Sequence, residues 1–167
     1  MADILSAETR TLRDALAQFP SGVVALCAVI DGEPIALIAS TFTVGVSEQP
    51  PLVLVSIQHR STTWPKLRSA QTIGVSVLGE DHQMLCRQLA SRDHTERFTD
   101  IKTTTTPEGA MFICGSPLQL TCTKYLEVPS GDHDVVILRI EDYASDIAAL
   151  PLVFHRSGFA RVLPTAS

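Results

Sequence analysis

Short runs of β-branched and apolar residues, each closed by a Gly, Pro or Asp turn signal, recur from residue 23 to residue 162. That rhythm predicts antiparallel pairing, because hairpins need only tight turns whereas parallel strands need long crossover connections. The first run is Val23-Val24-Ala25-Leu26-Cys27-Ala28-Val29-Ile30, and Asp31-Gly32 then supplies a two-residue hairpin turn into a partner at 35–40. Residues 43–47 keep β character until Pro50-Pro51 interrupts it. Continuous apolar strands are expected at 52–57 and 72–78. An alternating strand follows at 118–128, with Leu118, Leu120, Cys122 and Tyr125 inward. Gly131-Asp132 is a turn into a long strand at 135–140, and a last hairpin spans 153–162 around Ser157-Gly158.

Helical spacing is confined to the start and the middle. Residues 7–18 carry Leu12 and Leu16, with Phe19 beyond them, on one helix face before Pro20-Ser21-Gly22 ends the pattern. Residues 64–69 read as a short helix, and 81–90 as a second with Met84, Leu85 and Leu89 inward. The polar stretch 91–110, including Thr103-Thr104-Thr105-Thr106, is expected to be an extended loop or lid. Strands do not alternate regularly with helices, so a doubly wound parallel sheet is disfavoured and an antiparallel β-barrel fits better. No repeat or linker divides the sequence, which predicts one domain over residues 1–167, with a helix at about 6–19 and a barrel at about 22–162.

A chain that is 45% hydrophobic can build its own core without disulfides or metal. Its formal charge of −5 argues against general nucleic-acid binding, which needs a broad basic face. Met1-Ala2-Asp3-Ile4-Leu5 lacks the basic and apolar segments of a signal peptide, and the apolar runs are strand-sized. The expectation is a soluble cytoplasmic protein that binds neither membrane nor nucleic acid. Cys27, Cys86, Cys114 and Cys122 form no CxxC pair and are expected to be reduced thiols, mostly buried.

One local absence stands out. From Gln49 to Gly79 there is no Asp or Glu, while His59, Arg60, Lys66 and Arg68 lie there with Ser61, Thr62 and Thr63. Hydroxyls and free backbone N–H groups before a helix suit an anion, and the helix dipole adds to the attraction. The cap itself stays open between Ser61, Thr63 and Trp64, because Pro65 disfavours helical geometry at Trp64. Gly74-Val75-Ser76-Val77-Leu78-Gly79 has P-loop glycine spacing, but Glu80-Asp81 stands where Lys and a hydroxyl are required. No GxGxxG occurs, so a nicotinamide cofactor would have to bind without that loop. His82, Cys86 and His94 lack a second pair to complete zinc coordination, so no metal is expected. His133, between Asp132 and Asp134 after a turn, is a candidate base, charge anchor or ordinary surface residue.

Taken in order, several of these pieces resemble the flavin reductase-like family, the split-barrel reductase components of two-component monooxygenases. The resemblance is carried by Phe19-Pro20-Ser21-Gly22-Val23, Ala39-Ser40-Thr41-Phe42 and residues 50–57, Pro-Pro-Leu-Val-Leu-Val-Ser-Ile. It continues through Ser61-Thr62-Thr63, Arg97-Phe98, Gly131-Asp132-His133, residues 151–155 and Gly158-Phe159. The resemblance implies a homodimeric, mainly β split barrel that holds FMN or FAD at its subunit interface and uses NADH or NADPH as hydride donor. It implies that Ala39, Ser40 and Thr41 meet the ring edge and ribityl phosphate, and that Val55, Ser56 and Ile57 line the ring. Ser61 and Thr62 would bind the phosphate, His133 would sit close to the nicotinamide, and Phe159 would help to hold the dinucleotide. Reduced flavin would pass by diffusion to an oxygenase partner. The sequence departs from the family at Ala36 and Ile38, where Gly-x-Thr is frequent, at Ser76 in place of Asn, and at Gln49 in place of Asp. Competing readings are a flavin- or haem-binding split barrel without reductase turnover and a structural dimer that has lost its ligand.

Overall fold

A computed structural model of the chain describes residues 12–91 and 96–163. Residues 6–11 of the expected N-terminal helix and His94 of the weighed zinc set lie outside them. Among the described residues the protein is mainly β. Its principal sheet has seven strands in the order β3-β2-β6-β9-β10-β5-β4, where β2 is Val24–Ile30, β3 Glu33–Ala39, β4 Phe42–Glu48, β5 Pro51–Gln58, β6 Ile73–Val77, β9 Leu118–Ser130 and β10 His133–Ser145. Every neighbouring pair in it is antiparallel. A smaller sheet joins β1 (Ser21–Gly22) to β11 (Leu152–His155) and β12 (Gly158–Arg161), and β7 (Thr103–Thr105) pairs with β8 (Met111–Ile113). None of the helices among the described residues is long and apolar enough to cross a membrane.

The continuous apolar run of β2 has a physical reason, because its two faces serve two cores. Val24, Leu26 and Ala28 pack with Val53, Val55, Val75, Val136 and Leu138, whereas Val23, Ala25 and Cys27 pack with Leu78, Cys86, Leu89, Met111 and Ile113. A strand buried on both sides cannot show polar alternation. The turn that reverses it adopts positive φ at Asp31 (52°) and Gly32 (82°), as a type I′ hairpin requires. Edge strand β4 bulges between Thr43 and Ser47, with Gly45 at φ 71°. Such a kink blunts the edge against pairing with another sheet.

Several expectations are corrected. Tyr125 does not point inward but is 52% exposed, because the register steps from Leu126↔Ile137 to Lys124↔Leu138 and leaves it as the extra residue of a bulge. Met84 is 72% exposed; the second helix is a 3₁₀ turn, Glu80–His82, followed by an α-helix, Gln83–Leu89, that buries Leu89 as expected and Cys86 in place of Met84. The stretch 91–110 is not wholly loop, since Thr103–Thr105 pairs with Met111–Ile113 and Ala110 bridges to Ala28. The first helix is helical at 12–16, but Leu12, Leu16 and Phe19 face outward. All four cysteines are free, with Cys114 only half-buried.

Candidate functional site

The β3–β4 corner, the end of β5, the segment after it and the start of β10 meet around an open cleft of about 840 Å³. Ala36–Ser40 and Thr41 form one wall, Ser56, Ile57 and Gln58 the next, and Arg60–Thr63 the rim, with His133 beside them. Leu89, Ala90 and Arg97 close the opposite side. Register holds these pieces together: His133 pairs with Gln58, and the His59 N–H donates to the Asp132 carbonyl at 3.0 Å. The Thr41 hydroxyl donates to the Ser56 carbonyl at 2.7 Å, tying the β3–β4 corner to β5.

The hydroxyl-bearing rim answers the open question of the cap. Thr63 occupies the cap position of the helix Trp64–Leu67, but the Ser61 Oγ accepts the Trp64 N–H at 3.1 Å. That helix is a single turn, so the expected dipole contributes little and the anion-binding character rests on hydroxyls and cations. None of the residues lining the cleft is Asp or Glu. Acids from β9 and β10 pair outside the cleft instead: Asp134 meets the His59 ring at 3.0 Å, and Glu127 meets Arg68 at 3.9 Å and accepts the Trp64 indole N–H at 3.0 Å. Arg60 and Arg97 line the cleft with no carboxylate partner among the described residues. Arg60 donates through Nε to Gln58. Arg97 donates to the carbonyls of Ser91 (2.7 Å) and Ala36 (3.2 Å), and burial holds its pKa below the ordinary value. A cation that is part-desolvated in this way gains from an anion beside it.

The structure thus gathers Ala39, Ser40, Thr41, Ser56, Ile57, Ser61, Thr62 and His133 at one cleft. Two expected residues are not among its lining. Val55 is 0% exposed with its side chain in the core, two residues further into β5 than Ile57, which shares its face and reaches the cleft. Phe159, on β12, packs edge-on against Phe154 at 5.8 Å and under the Arg87 guanidinium at 5.7 Å. Gln58, Arg60, Thr63, Leu89, Ala90 and Arg97 line the cleft without having been singled out as site residues. Arg60 and Thr63 were visible as part of the acid-free stretch, whereas Leu89 and Ala90 carry no chemical signature. Ala36 and Ile38 lie on the cleft wall, but Ser76 is fully buried and its Oγ accepts the Ile113 N–H at 3.0 Å.

Hydroxyls, two guanidinium groups and an apolar wall without carboxylates suit a phosphorylated planar ligand, and the volume lies within the roughly 300–1,000 Å³ of small-molecule sites. The fold and cleft therefore define a mainly antiparallel β protein with an anion-ready site at the sheet rim. Residues 16–163 match the family described as flavin reductase like domain, and the chain belongs to that family. It is 34% identical over 151 residues to an NADH-dependent flavin reductase of a Rhodococcus species, covering 89% of this chain and 83% of that one. It is 32% identical over 164 residues to the actinorhodin polyketide dimerase of Streptomyces coelicolor, covering 97% and 91%. Among solved structures, the NADH:FAD oxidoreductase SgcE6 of Streptomyces globisporus, in complex with NAD and FAD fragments, superposes with a TM-score of 0.89 at 26% identity, covering 96% of each chain.

Proposed function

We propose that this protein reduces FMN or FAD with NADH or NADPH and releases the reduced flavin to a partner monooxygenase. The observation that carries the reading is the carboxylate-free cleft in which Ser40, Thr41, Ser61, Thr62, Arg60 and Arg97 surround one cavity. Bound flavin would supply a ring whose N5 accepts hydride from nicotinamide C4. The chain's own task is then to bind, orient and exclude water. Ser61, Thr62 and Arg60 supply donors for the flavin phosphate, while the β3 and β5 walls offer an apolar surface to the ring. His133, at the cleft edge, positions the hydride donor rather than exchanging a proton with it.

The same reading takes residues 1–167 as one domain whose main sheet closes as a split barrel and works as a homodimer in the cytoplasm. Leu12, Leu16, Phe19, Val44, Val46 and Tyr125 are exposed apolar side chains that a second copy would cover. Four free thiols suit a reducing compartment. Anaerobic titration of the purified protein with FMN and FAD, followed by NADH and NADPH, tests the proposal. The expected result is quenching of the single tryptophan, Trp64, on flavin addition and then bleaching of the flavin by the nicotinamide. Flavin binding without bleaching would make the protein a carrier, and no binding at all would overturn the reading.

A further inference from the structure

β9 breaks its ladder with β10 beside Tyr125, and that break decides which way Glu127 faces. Lys124 stands opposite Leu138 and Leu126 opposite Ile137, so Tyr125 is an extra residue on the β9 side. Beyond it Glu127 pairs with Val136, whose side chain is fully buried in the same core as the Trp64 ring. In an unbroken ladder Glu127 would stand opposite Val135 instead and would turn to the other face of the sheet. With the bulge its carboxylate comes inward, and Oε1 accepts the Trp64 indole N–H at 3.0 Å. Resting on the flavin reading above, we propose that Glu127 is a positioning residue of the cleft, which holds Trp64 so that Ser61 presents its hydroxyl to the flavin phosphate.

The connection runs through three bonded groups. Trp64 is 3% exposed, so its indole N–H needs an acceptor from the protein. Its backbone N–H donates to the Ser61 Oγ at 3.1 Å. That bond occupies the acceptor side of the hydroxyl and leaves the O–H free to donate into the cleft that Ser61 lines. An indole that tilts for want of an acceptor would shift the Trp64 backbone and loosen Ser61. The carboxylate stands behind the rim rather than in it. Glu127 is not among the residues lining the cleft, and Arg68 at 3.9 Å and Lys124 at 3.6 Å offset its charge. It can therefore brace the rim without repelling a phosphate.

The test compares FMN with riboflavin, which lacks the phosphate, by flavin fluorescence titration of the full-length protein and its variants. The wild type should bind FMN at least about tenfold more tightly than riboflavin. Glu127→Leu should lower that ratio about fivefold by weakening FMN alone. Glu127→Gln, whose amide oxygen still accepts the indole N–H, should hold it within about twofold. Trp64→Phe removes the indole donor while keeping an aromatic ring in the core, so the measurement survives if Glu127→Leu does not fold. It should lower the ratio as Glu127→Leu does, and the double variant should lower it no further. A ratio unchanged in both single variants, a parallel loss of both flavins, or an equal loss in Glu127→Gln overturns the positioning role while the cleft reading stands. A wild-type ratio near one overturns the phosphate rim and the role of Glu127 with it. Failure of both flavins to bind overturns the cleft reading as well.

Discussion

His133 donates from Nδ1 to the Asp132 carboxylate at 2.7 Å, a pairing of adjacent residues at the turn between β9 and β10. An ionised carboxylate only accepts, so the bond places a proton on Nδ1. The His133 bond and charge hold the Asp132 pKa below the usual carboxylate range. Asp132 is 93% exposed at its side chain, so its charge is screened and its effect is on ring orientation. His133→Ala should lower kcat/KM for NADH oxidation about tenfold or more while changing flavin affinity less than about twofold. Steady-state kinetics beside flavin titration decide the point, and unchanged kinetics would remove His133 from the reaction.

Ser61 has two tasks that a substitution can separate. Its Oγ accepts the Trp64 N–H, and the same hydroxyl lines the cleft rim. Ser61→Ala loses both and should cost about 1 kcal/mol of stability together with weaker flavin binding. Ser61→Asp keeps an acceptor for Trp64 but places a negative charge at the rim. It should recover stability in a urea titration and lose flavin affinity further, a divergence that an entirely structural serine would not produce.

The parts of this fold that were legible in the sequence are those fixed by local chemistry. Asp31-Gly32 and Gly131-Asp132 announced their hairpins because positive φ is required there and few residues tolerate it. The missed pieces depend on tertiary placement. Met84 stands two residues from Cys86, about 200° around a helix axis, so choosing the buried face by one position exposes it. The strand Met111–Ile113 is too short to show alternation, and its partner is a run of threonines with no apolar period. At the site, the acid-free stretch foretold the character of the rim, and the resemblance supplied Ala39–Thr41 and His133. Arg97 reaches the cleft only because the folded chain brings Ala36 and Ser91 within its hydrogen-bonding range.

His82 should make stability fall on mild acidification. Its Nδ1 accepts the Gly79 N–H at 3.0 Å and its Nε2 meets the Cys114 carbonyl at 3.1 Å, which fits a neutral ring protonated at Nε2. Burial lowers its pKa below the ordinary 6.5, more than the Cys114 bond and Asp81 raise it. The unfolded chain then binds more protons than the native one. The neutral ring's contribution is therefore complete above the unfolded value, declines as pH falls through it, and levels off below the folded value. Urea titrations between about pH 5 and pH 7 should show this slope in the wild type and lose it in His82→Asn, which keeps an acceptor near Gly79 without a titrating ring. Equal slopes would place the proton elsewhere.

Gly74 and Gly79 share P-loop spacing, yet the structure gives them different surroundings. A Cβ on Gly74 would lie 2.1 Å from the Met111 carbonyl oxygen and 2.7 Å from its carbon. Those are backbone atoms of β8, where β8 crosses β6, and they cannot yield as a flexible side chain would. A Cβ on Gly79 would meet nothing nearer than 3.4 Å, and its φ of −84° suits any residue. Gly74→Ala should therefore destabilise the protein by about 3 kcal/mol through overpacking, whereas Gly79→Ala should cost less than about 1 kcal/mol. A loop that cradled phosphate through both glycines would instead lose ligand affinity in each variant. Chemical denaturation of the two proteins, paired with flavin titration of whichever remains folded, separates a packing glycine from a binding one.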